Sequence, residues 1–214
     1  MNTRRVLWFF DVISPFAYLA WQEMDQLPGD MPVEFVPVLF AGILNHYGQK
    51  GPAEIEPKRR FTYRFALWRA QKLGIEMQMP PAHPFNPLSA LRLIIASGTS
   101  REAVEQVLNA VFKQGRDVSN PTVIADLAAQ LGIQDVQAAI AAPAVKQQLH
   151  DNTRFAIENG VFGVPTLMIG KETFWGHDAV EMAVDYWRDP QAFNTPRMTA
   201  ADTLPLGSVR RQGQ

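Results

Sequence analysis

The apolar positions change period soon after the chain begins. Arg5 to Val12 is a short run rich in β-branched, aliphatic and aromatic residues, and it reads as a buried strand. A tight turn through Ile13-Ser14 leads to Pro15, a residue favoured at the first helical position, and Phe16-Ala17-Tyr18-Leu19-Ala20-Trp21 continues as a helix. That helix is expected to end near Leu27-Pro28-Gly29. Val33 to Val38 then alternates as a second strand running into Leu39-Phe40-Ala41-Gly42, so the chain opens with a parallel strand, helix, strand unit.

Beyond this unit the period is helical. Pro57 to Leu73 carries Phe61, Phe65, Leu67 and Trp68 between charges and stops at Gly74. Asn86-Pro87 opens a strongly apolar helix through Leu88, Leu91, Leu93, Ile94 and Ile95, ended by Gly98. Thr99 or Ser100 can cap the next helix, whose Val104, Val107, Leu108, Val111 and Phe112 form a buried stripe. Shorter helices are predicted over Val123 to Leu131 and Val136 to Ala142, and a longer one from Pro143 to Asn159. Strands resume with Thr166-Leu167-Met168-Ile169, a Gly170-Lys171 turn and Thr173-Phe174-Trp175, an antiparallel hairpin followed by a last helix from about Asp178 to Trp187. From Arg188 to Gln214 the chain is polar with little periodicity, as in a surface tail.

The order β-α-β, helices, β-β-α is that of an α/β fold and resembles a thioredoxin-like domain carrying a large all-helical insertion. On this reading residues 1–40 and 160–190 form a split thioredoxin-like domain, 41–159 the helical insertion and 191–214 a C-terminal tail.

Composition narrows the function classes. A 47% hydrophobic fraction supports a real core, and the near balance of 20 Lys+Arg against 21 Asp+Glu gives no electrostatic reason for a nucleic-acid or anionic-membrane partner. The cluster Lys58-Arg59-Arg60 with Arg64 and Arg69 reads as a solvated helix face. Asp11 interrupts the first apolar run too early for a signal peptide and no run is long enough to span a bilayer, so a cytoplasmic protein is expected. With Cys at 0, disulfides, thiolate metal sites and redox cycling by the protein's own thiols are excluded. His46, His83, His150 and His177 show no metal-binding spacing, so no metal site is expected.

Two places carry candidate chemistry. Ser14 stands before the first helix, near orphan N–H groups and the positive end of the helix dipole, where a thiolate or anion is stabilised; taken by itself it reads first as a plain N-cap. Gly163-Val164-Pro165-Thr166 puts a proline between a helix end and a buried strand, the position where thioredoxin-like folds keep a cis peptide bond. Such a bond would expose the Val164 N–H and C=O as an edge to which an extended, peptide-like ligand adds as a strand. The alternative is an ordinary loop proline.

Five segments together resemble the 2-hydroxychromene-2-carboxylate isomerase family, relatives of the kappa-class glutathione transferases and, more distantly, of DsbA. They are Phe10 to Ala20, Pro37 to Ile43, Asn86 to Arg92, Gly163 to Thr166 and Phe174-Trp175-Gly176-His177-Asp178. The resemblance implies glutathione as cofactor and a homodimer. By motif, Ser14 would contact and activate the glutathione sulfur, Val164 beside cis-Pro165 would pair with its cysteinyl backbone, and His177 and Asp178 would receive its γ-glutamyl end. The partner would be a small aromatic or conjugated acid, isomerised by reversible thiolate addition that turns a double bond temporarily into a single bond. A protein without Cys can run such chemistry if it lowers the pKa of the bound thiol, and a Ser14 hydroxyl does this by donating a hydrogen bond.

The sequence departs from the family where the second substrate would bind. Asn45 stands where a lysine is common, and Ala179 where an arginine often follows the aspartate. Phe61 and Trp68 either line an aromatic acceptor pocket or pack in the core, and Asn86 is either a helix cap or a polar group at the pocket edge. Two alternatives accompany the isomerase reading: a kappa-like glutathione transferase, and a non-catalytic glutathione- or peptide-binding module. A disulfide oxidoreductase is disfavoured because Ser14 and Ala17 occupy the places of its two cysteines.

Overall fold

The computed structural model describes residues 4–208. β1 (Val6–Phe10) is buried along its whole length, and its two-residue alternation sorts its side chains into two cores. Val6, Trp8 and Phe10 face one hydrophobic cluster; Leu7 and Phe9 face the other. On the first face Trp8 stacks on Phe10 with ring centroids 4.4 Å apart and meets Trp21 at 5.8 Å.

The four-stranded sheet has the order β2-β1-β3-β4. β2 (Val33–Pro37) pairs parallel with β1 in the register Val6 to Val33, across α1 (Pro15–Glu23). β3 (Thr166–Ile169) pairs antiparallel with β1 and β4 (Glu172–Trp175) antiparallel with β3. Between β2 and β3 lie α2 (Phe40–Tyr47), α3 (Glu56–Leu73), α4 (Leu88–Ala96), α5 (Arg101–Phe112), α6 (Pro121–Gln130), α7 (Val136–Ala141) and α8 (Pro143–Glu158). This is the expected thioredoxin-like sheet with an extensive helical insertion. α1, α4, α5 and α6 fill the first core, whereas residues of α2 and α8 close the second against Leu7, Phe9 and Met168. Side-chain caps set several helix starts: Ser14 for α1, Ser100 for α5, Asn120 for α6 and Asp135 for α7.

α2 departs from the expectation that β2 runs on through Gly42. The chain turns helical at Phe40 because groups distant in sequence cap it: Thr153 Oγ1 accepts the Leu39 N–H at 2.9 Å, and Asp11 Oδ2 accepts the Phe40 N–H at 2.9 Å. Gly42 is what lets α2 approach α8, since a Cβ there would lie 3.1 Å from Thr153 Cγ2. α3 departs from the alternative of core packing. Phe61 and Trp68 are 66% and 50% exposed, and Phe61, Phe65 and Trp68 form an outward stacked ladder at 5.7 and 5.8 Å.

After α9 (Val180–Arg188), Phe193 packs edge-on against Phe174 and Tyr186, which anchors the tail to the first core. Thr195 then caps α10 (Pro196–Asp202), a helix with no counterpart in the periodic pattern. The part of the expected tail over 209–214, and residues 1–3 at the start, lie outside the described residues. No helix among the described residues is long and apolar enough to cross a membrane.

Candidate functional site

Ser14 occupies the junction where β1 gives way to α1, and it is buried. Its Oγ accepts the Ala17 N–H at 3.3 Å as an N-cap and lies 3.4 Å from the Val164 carbonyl oxygen. The cap and a ligand role are therefore compatible. Capping uses an oxygen lone pair, while the hydroxyl proton makes only a long contact and stays available to a better acceptor. The start of α1 adds its partial positive charge at the same point.

Val164 is joined to Pro165 by a cis peptide bond and precedes the first ladder pair of β3, so it stands outside the sheet's hydrogen-bond ladder. The Pro165 carbonyl is already used, accepting the Gly176 N–H at 2.9 Å. Gly163 permits the close cover above this edge, because a Cβ there would collide with the Trp175 indole nitrogen.

His177 follows Gly176, whose φ of +101° places it in a region costly for any residue with a Cβ. The imidazole is 5% exposed and stacks on Phe16 at 5.7 Å with planes 7° apart. Burial pushes its pKa below the usual histidine value; Asp178 and Glu23 oppose this, and Arg69 adds to it. Glu23 Oε2 lies 3.7 Å from Nδ1, too far for a hydrogen bond, and that nitrogen is buried without a partner among the described residues.

Two cavities adjoin at this point. The smaller, of about 280 Å³, is lined by Phe16, Phe65, Val164, Pro165, Trp175, His177 and Asp178 among others. The larger, of about 400 Å³, reaches Ser14, Phe40, Leu44, Pro52, Tyr63 and Phe85, and shares Phe16, Val164 and Trp175 with the first. The fold thus brings Ser14, Val164, Pro165, His177 and Asp178 together from the two ends of the chain. Asn45, Phe61, Trp68 and Asn86 stand outside both linings; Asn86 accepts the Leu88 N–H at 3.1 Å at the start of α4. No group of His, Asp or Glu among the described residues is arranged to hold a metal ion.

Two further features of the larger cavity escape the sequence reading. Asp11 is fully buried, with Oδ1 accepting the Ile13 N–H at 3.0 Å and Oδ2 the Phe40 N–H, so one carboxyl ties the Ser14 turn to the start of α2. Burial raises its pKa to about 7, against the opposing pull of those two backbone donors. His83 is the second. Its Nε2 lies 2.7 Å from the Ile13 carbonyl oxygen and must carry a proton to bond it, which leaves Nδ1, 2.7 Å from the Tyr63 hydroxyl, as an acceptor in the neutral ring. The apolar run ending at Asp11 was a signal for the first, since a carboxylate closing a buried strand needs N–H partners. His83 offered none, because its partners lie 20 and 70 residues away.

The chain is similar to known proteins over most of its length. The family model of the DsbA-like thioredoxin domain matches residues 5–188. The chain is 30% identical over 186 residues to a 2-hydroxychromene-2-carboxylate isomerase of Pseudomonas putida, covering 81% of this chain and 89% of the relative. It is 26% identical over 211 residues to glutathione S-transferase kappa 2 of Caenorhabditis elegans, covering 88% and 94%. A solved 2-hydroxychromene-2-carboxylate isomerase superposes with a TM-score of 0.72 at 26% identity, covering 94% of this chain and 99% of that one.

Proposed function

Because the chain belongs to the DsbA-like thioredoxin-domain family, together with the 2-hydroxychromene-2-carboxylate isomerases and their kappa transferase relatives, we propose that it is a glutathione-dependent enzyme of isomerase type. The single observation that carries this reading is the meeting of the Ser14 hydroxyl with the Val164 backbone, which stands outside the sheet's ladder, in a protein that has no Cys. A thiol must come from outside, and the site offers what a cysteinyl peptide needs.

The residues fit glutathione. The Val164 backbone would pair with the cysteinyl unit, and the unpartnered His177 Nδ1 together with Asp178 would take the γ-glutamyl end. When bound, glutathione supplies a thiolate that adds reversibly to a conjugated carbon and so frees a double bond to rotate. Ser14 holds that sulfur anionic by donating its hydroxyl proton into a hydrogen bond, aided by the start of α1; it takes up no proton itself. Phe16 and Trp175, common to both linings, exclude water where the two cavities meet. The second cavity receives the acceptor.

A kappa-like transferase would use the same sulfur site on an acceptor bearing a leaving group, and the likeness to kappa 2 favours keeping it as the second reading. A homodimer is part of the proposal, with the outward aromatic ladder of α3 as the surface that would be covered. Crystals soaked in glutathione test the site: sulfur beside Ser14 and peptide backbone along Val164 are expected, and density elsewhere at saturating ligand sinks the reading. Isomerisation with catalytic glutathione, measured beside conjugation that consumes it, separates the two activities.

A further inference from the structure

The walls of the larger cavity are unusual for a site that handles an organic acid. The lining is mostly apolar, with Phe16, Phe40, Leu44, Pro52, Phe85 and Trp175 in it, and no lysine or arginine among the described residues lines it. Its titratable groups are Asp11, Glu54, Tyr63 and His83. Each already has protein partners. Both Asp11 oxygens are held by backbone N–H groups, Glu54 Oε1 accepts the Gly51 N–H at 2.6 Å, and His83 is spanned between Ile13 and Tyr63. The Tyr63 hydroxyl is also within 2.8 Å of the His83 carbonyl oxygen.

We propose that the acceptor bound in this cavity is an uncharged, apolar electrophile, and that the cavity discriminates against acceptors carrying a carboxylate. The inference rests on the assignment of this cavity to the second substrate, and it settles a property that assignment leaves open. A carboxylate brought into the pocket would lose its hydration without meeting a cation or a free cluster of donors. The two carboxyl groups in the wall can add only negative charge or none. His83 does not supply the missing cation, because burial lowers its pKa and its neutral ring satisfies both neighbours. A positive field does reach the Tyr63 hydroxyl from Arg59, one helical turn earlier on α3, but Arg59 is not part of the lining. A ketone carbonyl, in contrast, carries no net charge and loses far less than a carboxylate when it leaves water.

The test is binding of two unreactive ligands of nearly equal shape, benzylacetone and hydrocinnamate, which differ by a methyl group in place of a carboxylate oxygen. Calorimetry on the full chain, with and without saturating glutathione, is expected to show benzylacetone binding at least about tenfold more tightly, a difference of about 1.4 kcal/mol. An Ala53→Lys variant, which places an ammonium in the wall, is expected to reverse the order; Arg59→Ala is expected to leave it unchanged. Equal or tighter binding of hydrocinnamate overturns the inference, and so does a failure of both ligands to bind. Glutathione binding is read in the same experiment. Its absence would sink the reading of the sulfur site, while the ligand pair measured on the free protein still decides the character of the cavity.

Discussion

The hydroxyl of Ser14 lies 3.4 Å from the carbonyl oxygen of Val164, across 150 residues of sequence. Removing the hydroxyl takes the hydrogen bond away from a bound thiolate but leaves the Val164 edge intact. Ser14→Ala is therefore expected to keep glutathione affinity within a few-fold and to raise the pKa of the bound thiol by about one unit or more. A hydrogen bond to a charged group is worth about 1.5–3 kcal/mol. Ultraviolet titration of the thiolate in the complex measures this; an unshifted titration would remove Ser14 from the chemistry.

His177 separates stability from binding. Its Nδ1 is buried without a partner, a defect that typically costs about 1–3 kcal/mol. His177→Phe preserves a ring against Phe16 and removes that defect, so the denaturation midpoint should hold or rise while glutathione affinity falls about tenfold. A variant that loses stability and keeps its affinity would show that the nitrogen serves the fold.

Asp11 gives a pH signature. Its pKa is about 7 in the folded protein and near 3.8 in the unfolded chain, so between these values the folded state holds the extra proton. Its contribution to stability is complete below about pH 4 and is lost as pH rises through 7, a change on the order of a few kcal/mol. Urea unfolding from pH 4 to 8 should show this slope in the difference between the native protein and Asp11→Asn. Parallel profiles would contradict it.

Gly163→Ala tests the cover over the Val164 edge. The new Cβ drives the half-exposed Trp175 indole outward, which costs the fold little, about 1 kcal/mol or less, because the ring can swing towards solvent. Both cavities lose a shared wall, so a red shift in tryptophan emission is expected together with several-fold weaker glutathione binding.

Ser100→Ala reports on the insertion alone. The hydroxyl accepts the Ala103 N–H at 3.1 Å at the start of α5, and its loss should cost about 1 kcal/mol in chemical denaturation with glutathione affinity unchanged.

Much of this architecture is legible in the sequence wherever a local rule decides it. The buried run of β1, Pro15 at the start of α1, Ser100 before α5 and Gly74 after α3 announce their elements without tertiary help. α2 is not legible, because its first N–H groups are satisfied by Asp11 and Thr153, which no window around Phe40 contains. The two halves of the candidate site, Ser14 and Val164-Pro165, each carry a recognisable local pattern. The acceptor cavity does not, since Leu44, Pro52, Tyr63 and Phe85 converge through the packing of separate elements. For the same reason exposed residues of α3 such as Phe61 look like pocket residues in a helical pattern that does not say which way the helix faces.

β1 runs antiparallel to β3, so the end of the first strand and the start of the third arrive at the same end of the sheet, although the whole helical insertion is traversed between them. In the order of synthesis, a ribosome has made every helix of the insertion before the residues that complete the site emerge. A nascent or truncated chain ending before Val164 carries Ser14 with nothing opposite it. Competence to hold a thiol ligand is thus a late event in the life of each molecule, and ligand capture during refolding would time the docking of the last strands onto the first.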